Sequence, residues 1–473
     1  MNFRKVLLFA IGPIGSALLA LISLPIITWF FTQEDVGKIS MFQMAIAIST
    51  LVFSLGLDQA YVREFHEVAD KPALLNKTLI PGLFVLILTY SFIFLMGAEI
   101  SYWLFDFHDE HLSLLILTAI LFAYQSRFLS LVLRMNEYAL AYSLSQLLPK
   151  LIFLVIIVGY VFLDVDKNLT NLVIANTIAI FFVFVILALN TQSEWRVGIT
   201  ASLDIKHLKK MLAFGLPLVL GGVAYWGLTA IDKILLRTLA SYEELAIYSV
   251  GASFASAALV IQAIFSTIWA PIVYKWASKG EGLENVYQVS RYILFLVVVF
   301  FCFAGFFSWI VTLFLPVNYL DVQWIVVACL GAPLLYTLSE TTVVGICIAR
   351  RTSFAILAAL IAFAVNFVGN WLMIPRFGAS GAAVSTCVSF WVFFILRTEF
   401  SIYVWKPIPR LLLYGYSALA VLGACIFTLF GPKIYTFMQM YWVLLLLAVF
   451  FSFKVELRSI VKFVNEKFKT IYG

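Results

Sequence analysis

The sequence predicts an all-α, polytopic membrane protein built from two six-helix lobes and an extra helix pair. Three observations predict this fold class: an apolar composition, a series of long apolar stretches, and a pattern that occurs once in each half of the chain. Of the 473 residues, 63% are hydrophobic and only 12% are charged, whereas a soluble domain has about 25% charged residues. A water-soluble protein could not cover so much apolar surface, so soluble enzymes, nucleic-acid-binding proteins and disordered chains are excluded.

The apolar stretches fit the length of a membrane span. A span needs about 20 apolar residues, and by this measure the chain has about 14 transmembrane helices. The last stretch, residues 440–453, is short, and twelve spans are the alternative if the final pair of stretches lies at the membrane surface instead of crossing it. Most of the 31 Lys and Arg residues lie in alternate loops, the distribution that marks cytoplasmic segments. We therefore predict a multi-pass protein with both termini in the cytoplasm, and no loop is long enough for a separate catalytic domain.

A similar pattern opens each half of the chain. The first copy reads GPIGSALLALISLPIITWFFTQEDVGKIS from Gly12, and the second reads GLPLVLGGVAYWGLTAIDKILLRTLASYEELAIYS from Gly215. Each places a proline, Pro13 or Pro217, early in a long helix, as transporters with internal repeats do around a central site. We predict lobes over residues 1–200 and 201–405, related by a pseudo-twofold axis along the membrane normal, and an extra helix pair with a basic tail over 406–473. For the two prolines, the alternative is that they kink their helices and only shape helix packing.

Two cations lie inside apolar stretches, Arg127 and Lys150. A Lys or Arg at the centre of a membrane helix costs about 2.5–3.5 kcal/mol, so its presence needs a reason. We predict that the two side chains face one another in a water-filled cavity and bind an anion such as a diphosphate, with Arg63 as a further contact at the cytoplasmic side. The alternative is that both side chains extend to the inner membrane surface.

Other charged groups are candidates for coupling or gating. Glu340 stands alone in an apolar stretch and is a candidate proton-coupling acid, unless it and its hydroxyl neighbours only form hydrogen bonds between helices. Asp58 follows the second span, where a structural ion pair at the inner rim is the alternative role. Asp232 and Lys233 lie near the outer end of the seventh span, where they either pair with each other or line a cavity.

Motifs for catalysis are absent from the sequence. It contains no Walker A, HExxH or GxSxG motif, so it offers no basis for ATP hydrolysis or group transfer. His108 and His111 are close together, but the sequence offers no further ligands nearby for a metal ion. We therefore predict neither an enzyme nor a metal or cofactor site.

Four segments carry a family resemblance. They are the segment from Gly12, FSLGLDQAYVREFHE, AFGLPLVLGGVAYWGLTAIDKILL and NFVGNWLMIPRFGASGAAVST. These segments resemble Wzx-type polysaccharide flippases (O-antigen or capsule repeat-unit flippases) of the multidrug/oligosaccharidyl-lipid/polysaccharide exporter superfamily. The residues of the last segment that match the superfamily pattern are Asn366, Asn370, Pro375, Gly378 and Gly381. Two departures are Met373 in place of the usual Leu, and Asp232-Lys233 where the family often has Asp-Arg.

The resemblance implies a transporter of the bacterial cytoplasmic (inner) membrane. Its substrate would be an undecaprenyl-diphosphate-linked oligosaccharide, as in O-antigen and lipopolysaccharide synthesis, moved from the inner to the outer leaflet by alternating access. Membrane lipids, a proton or sodium ion and the polysaccharide polymerase machinery are the implied partners, with no nucleic acid. A cation-coupled multidrug exporter is the first alternative, although Arg127 and Lys150 would repel organic cations. A membrane-embedded polysaccharide polymerase is the second.

Overall fold

The computed structural model describes residues 3–198, 204–278 and 283–454, and within these ranges every regular element is a helix. In chain order the α-helices are α1 (Phe3–Phe30), α2 (Gln33–Phe53), α3 (Leu57–Glu64), α4 (Lys71–Leu95), α5 (Ile100–Phe105), α6 (Glu110–Met135), α7 (Ala139–Phe162), α8 (Leu169–Asn190), α9 (Gln192–Gly198), α10 (Ile205–Leu239), α11 (Tyr242–Ala255), α12 (Ala257–Ser278), α13 (Leu283–Phe307), α14 (Val322–Cys329), α15 (Gly331–Thr342), α16 (Val344–Ile348), α17 (Thr352–Val404) and α18 (Leu411–Ser452). Two 3₁₀ helices, Ser308–Leu313 and Val317–Tyr319, lie between α13 and α14.

The number of membrane spans agrees with the prediction. Twelve helical segments of the described ranges are long and apolar enough to cross a membrane. Two of these segments, α17 with 53 residues and α18 with 42, are about twice as long as one crossing needs. Each contains a residue with non-helical backbone angles, Gly378 or Ile434, and α18 folds back so that Tyr416 Oη donates to Ala448 O at 3.3 Å. When α17 and α18 are each counted as two spans, the described chain has fourteen spans. This number confirms the prediction of about 14 transmembrane helices.

The reversal in α17 explains the asparagine and glycine motif. Gly378 has φ 51° and ψ −130°, a conformation that residues with a Cβ avoid. Ser385 Oγ, beyond the turn, donates to the backbone O of Asn366 before it at 3.0 Å. Within the first arm, Asn370 Nδ2 donates to Asn366 Oδ1 at 2.6 Å. Gly381 lies against the backbone of the first arm, which leaves no room for a Cβ. The motif therefore builds a tight hairpin between two adjacent spans.

The chain divides into two compact units, Met1–Ser249 and Val250–Gly473. Helix α10 groups with the first unit, where it packs against α2 and α3, and the boundary between the units falls within α11. This grouping follows spatial contacts and not the sequence repeat. The lobes over 1–200 and 201–405 and the extra pair over 406–473 therefore stay predictions.

In the first unit, α1 packs closely along α7. Gly12 lies against the backbone of Ser143, where an added Cβ would come within 2.9 Å of the Ser143 Cα. Small residues allow such close approach between helices in membranes. Ser16, just after the Pro13 position, donates from Oγ to Gln146 O at 2.8 Å. This contact fixes the face of α7 that carries Lys150.

In the second unit, an apolar core forms where α12, α13 and α16 meet. Trp269, Val273, Val286 and Val344 are buried together there. The indole Nε1 of Trp269 donates to the backbone O of Glu340 at 3.0 Å. The core of this unit is thus connected directly to one of the predicted site residues.

Candidate functional site

A short turn after α2 positions Asp58. Leu55 and Gly56 both adopt positive φ, 52° and 70°, before α3 begins at Leu57. Gly56 touches the backbone of Gly215 on α10, so no side chain fits at this point. Asp58 lies in the first turn of α3, where a helix N-terminus favours a negative charge. The turn therefore holds a buried carboxylate at the end of the second span.

Asp58 binds Arg127, one of the two predicted substrate contacts. Arg127 Nη2 on α6 lies 2.9 Å from Asp58 Oδ2. The arginine side chain is 49% exposed, whereas that of the aspartate is 6% exposed. A guanidinium group has five N–H donors in a planar fork, so this contact orients Arg127 and leaves other donors for a ligand.

Neighbouring side chains fix the aspartate and the helix that carries Arg127. Gln59 Nε2 donates to Asp58 Oδ2 at 3.0 Å. Tyr124, about one turn before Arg127, is fully buried and donates from Oη to Leu79 O at 2.8 Å. These contacts explain why Asp58 lies inside the protein and Arg127 at its surface.

Lys150 has a separate partner. Its Nζ donates to the backbone O of Ser16 on α1 at 3.1 Å, and the residue is exposed. The prediction placed Lys150 face to face with Arg127, but the described contacts direct Lys150 to α1 and Arg127 to α3. The physical reason is packing, since the small residues of α1 bring its backbone close to α7.

The C-terminal turn of α3 contacts α10. The Cζ atom of Arg63 lies 4.4 Å from the ring centroid of Phe214, within the range of a cation–π contact. Next to it, Glu64 Oε2 lies 2.7 Å from His207 Nε2. Arg63 is exposed at this end of the unit. His207 was not predicted as part of a site, because nothing in the sequence around it shows that it meets Glu64.

The other end of α10 carries a second polar cluster. Asp232 is fully buried and accepts a hydrogen bond from Tyr248 Oη at 2.6 Å, while Lys233 beside it is half-buried. One turn on, Arg237 forms an ion pair with Asp106 and donates from Nε to Tyr242 Oη at 2.9 Å. Helix α10 is therefore bound to the rest of the first unit near both of its ends.

Glu340 in the second unit is not isolated. Its Oε1 lies 2.8 Å from Arg397 Nη2, and Arg397 Nη1 donates to Ser339 Oγ at 2.6 Å. The expectation that Glu340 stands alone was wrong, because Arg397 on α17, 57 positions along the chain, lies against it. The second arm of α17 stays helical to Val404, so Arg397 lies about two turns inside the helix.

Metal ligands do not gather in the part of the chain that the structure describes. No group of three or more His, Cys, Asp or Glu side chains there could hold a metal ion. His108 Nδ1 lies 3.4 Å from Glu99 and its ring stacks on Tyr102. The contacts of His108 are therefore with one acidic side chain and one aromatic ring.

Comparison with known sequences identifies related proteins. Residues 3–276 match the protein family described as "Polysaccharide biosynthesis protein". Protein 1 of the Lsg locus of Haemophilus influenzae is 23% identical over 302 residues, which cover 62% of this chain and 70% of that protein.

Comparison with solved structures shows the same fold in transporters. The lipid II flippase MurJ, in an inward closed conformation, has a TM-score of 0.69 at 16% identity and covers 95% of this chain and 100% of its own. An inward-facing multidrug resistance MATE family transporter of the MOP superfamily has a TM-score of 0.57 at 13% identity, over 82% of this chain and 94% of its own. A MATE transporter of Vibrio cholerae has a TM-score of 0.55 at 15% identity, over 84% and 95%. At these identities the likeness concerns the fold.

Proposed function

The chain belongs to the polysaccharide biosynthesis protein family, and we propose that it flips undecaprenyl-diphosphate-linked oligosaccharides from the inner to the outer leaflet of the bacterial cytoplasmic membrane. Three findings support this function: the family match over residues 3–276, the fold shared with a lipid II flippase, and cationic side chains within the spans. O-antigen or capsule repeat units are the proposed cargo, and both termini are proposed to be cytoplasmic.

The Asp58–Arg127 pair is the observation that carries the proposal. The acid is buried and the guanidinium group is half-exposed, so the surface offered to a ligand is cationic. Arg127 donates hydrogen bonds to the diphosphate, and Asp58 acts as a positioning residue that keeps the planar group oriented. This assignment replaces a coupling role for Asp58.

Lys150 and Arg63 are proposed as further substrate contacts in the first unit. Lys150 is exposed, and its contact among the described residues is the hydrogen bond to the Ser16 backbone, so it can turn towards an anion as a mobile point charge. The guanidinium group of Arg63 lies over the Phe214 ring, and the residue is exposed at the end of the unit. Asp232 and Lys233 are proposed as gating groups.

Replacing Arg127 tests the substrate assignment. We expect Arg127→Ala to lower surface polysaccharide about tenfold or more, because even one lost charge-assisted hydrogen bond is worth about 1.5–3 kcal/mol. Lipid-linked repeat units should accumulate in the inner leaflet. Asp58→Asn should give a smaller loss, since the guanidinium group remains but is no longer held by a charge.

The matched control is Arg134→Ala, which removes an exposed arginine from the last turn of the same helix α6. It should leave surface polysaccharide unchanged, with membrane levels of all variants compared by immunoblot. Normal polysaccharide in the Arg127→Ala strain would reject the anion-binding role. Sensitivity to cationic drugs on deletion, with normal polysaccharide, would instead indicate a multidrug exporter.

A further inference from the structure

A polar pocket of the first unit is lined by residues other than those proposed to bind the transported lipid. Its volume is about 210 Å³, and its lining includes Tyr61 on α3, Phe65 at the end of α3, Lys71 at the start of α4 and Glu194 on α9. Sites that enclose a drug-sized molecule measure about 300–1,000 Å³. This pocket therefore has room for a small polar group and not for a whole lipid or oligosaccharide.

The pocket lies where three spans of the first unit end. Helix α4 begins at Lys71, α6 ends at Met135, and α8 ends at Asn190, just before α9. Trp195 on α9 donates from its indole Nε1 to Ala188 O of α8 at 2.8 Å, and tryptophan is enriched at the boundary between membrane and water. The pocket is therefore at the height of the lipid headgroups.

Tyr61 brings a buried hydroxyl group to this pocket. The residue is 1% exposed, and the hydrogen bonds within the described chain do not include one from its hydroxyl group. A buried tyrosine hydroxyl usually has a hydrogen-bond partner. Burial raises the pKa of Tyr61 above its ordinary value of 10, and the Glu194 carboxylate raises it further. The hydroxyl group is thus a neutral donor with a hydrogen bond left to give.

Two opposite charges line the same pocket. Lys71 Nζ lies 4.4 Å from the centroid of the Phe65 ring, within the range of a cation–π contact. Glu194 Oε2 accepts a hydrogen bond from Ser193 Oγ at 2.6 Å. Among the described residues, Lys71 and Glu194 do not form an ion pair with each other. A ligand that carries both an anionic and a cationic group would complement the two side chains at once.

We propose that this pocket binds the headgroup of phosphatidylethanolamine, a zwitterionic lipid. Lys71 and Tyr61 donate hydrogen bonds to the phosphate group, and Glu194 accepts them from the primary ammonium group. A phosphatidylglycerol headgroup has no cation for Glu194, and the quaternary ammonium group of phosphatidylcholine has no N–H to donate. The bound headgroup links α3, α4 and α9. This inference goes beyond the proposed transport function and does not depend on it.

The test measures lipid binding to the full chain in detergent by native mass spectrometry, with each of the three lipids added separately. We expect the wild type to bind one phosphatidylethanolamine about tenfold more tightly than either other lipid, since one charge-assisted hydrogen bond is worth about that factor. Lys71→Ala and Tyr61→Phe should each weaken this binding, Lys71→Ala by about tenfold. Glu194→Gln should remove the preference over phosphatidylglycerol, because the repelling charge is gone.

Two matched controls separate this site from general lipid adhesion. Tyr138→Phe removes a hydroxyl group from an exposed tyrosine, and Lys77→Ala removes a lysine from the same helix α4. Both should bind phosphatidylethanolamine as the wild type does. Tyr61→Phe keeps the buried ring, so it tests the hydroxyl group without opening a cavity.

Three outcomes would overturn the proposal. They are equal wild-type affinity for the three lipids, unchanged phosphatidylethanolamine binding in both Lys71→Ala and Tyr61→Phe, and displacement of the lipid by an equal concentration of free phosphoethanolamine. The last would indicate a site for a soluble ligand, because the acyl chains would add nothing to binding. None of these readouts needs transport, so each leaves the flippase proposal to the Arg127 test.

Discussion

At the scale of single residues, the charged groups within the spans are paired with residues far away in the sequence. Arg127 meets Asp58 across 69 positions, and Glu340 meets Arg397 across 57. The charged residues themselves could be predicted, because a charge in an apolar stretch is conspicuous and costly. Their partners could not, because pairing depends on how each helix is rotated against its neighbours. The candidate site is therefore predictable as a set of residues and not as a geometry.

Asp106 carries a prediction about pH. Burial alone would raise the pKa of Asp106, but hydrogen bonds from Arg237 and Tyr242 outweigh it and hold the pKa below its ordinary value of 3.8. A carboxylate with a lowered pKa stabilises the fold above its unfolded pKa and loses that contribution as the pH falls through the folded pKa. After correction for the pH dependence of intrinsic amide exchange, hydrogen exchange of residues 100–107 should therefore stay constant between about pH 8 and about pH 5. Asp106→Asn should raise it throughout this range.

Asp164→Asn provides the comparison for that measurement. Asp164 is an exposed residue whose partner is Lys167, three positions along the chain. Its replacement should leave exchange in residues 100–107 as in the wild type. An increase in wild-type exchange, corrected in the same way, already at about pH 5 would show that Asp106 does not hold this contact.

At the scale of the helix, glycines set where helices turn and where they touch. The break between the two arms of α17 was predictable, because Pro375, Gly378 and Gly381 interrupt an apolar stretch. The contact of Gly56 with Gly215 was not, since a glycine does not show in its sequence which backbone it will meet. The positions of glycine and proline thus predict where these helices end better than they predict which other helices these helices contact.

Gly378→Ala tests the turn in α17. Alanine at φ 51° and ψ −130° should cost about 1–3 kcal/mol, because such backbone angles are strained for any residue with a Cβ. We expect a lower midpoint in thermal unfolding of the detergent-solubilised protein, followed by intrinsic tryptophan fluorescence.

Gly415→Ala is the matched change in the same unit. Gly415 lies within α18 and faces open space, so alanine there should stabilise the helix by about 0.5–1 kcal/mol. Equal midpoints for the two variants would mean that the turn at Gly378 does not depend on glycine.

At the scale of the whole molecule, hydropathy predicted the architecture with few errors. About fourteen spans follow from the apolar stretches, and the structure has fourteen in the described chain once the arms of α17 and α18 are counted. This agreement has a physical cause, since a backbone in lipid must satisfy its hydrogen bonds within its own helix. The side of the membrane on which each loop lies stays a prediction from the distribution of Lys and Arg.

Topology reporters test that orientation. An even number of spans returns the chain to its starting side, so fusions after Asp70 and after Lys454 should both report the cytoplasm. A fusion after Asp109 should report the outer side, because one further span, α4, lies between it and Asp70. The same side for Asp70 and Asp109 would contradict the assignment of α4 as a crossing.

The two attachments of α10 have a mechanical consequence. Glu64 binds its start at His207, and Asp106 binds it near its end at Arg237. With both ion pairs in place, α10 cannot tilt at either end. When one ion pair breaks, that end can move while the other ion pair still holds the opposite end. Pro217 lies between the two ion pairs and removes a backbone hydrogen bond from α10. The two halves of α10 therefore need not tilt together. Moving one end of α10 at a time therefore breaks one of these two ion pairs, whereas moving the whole helix breaks both.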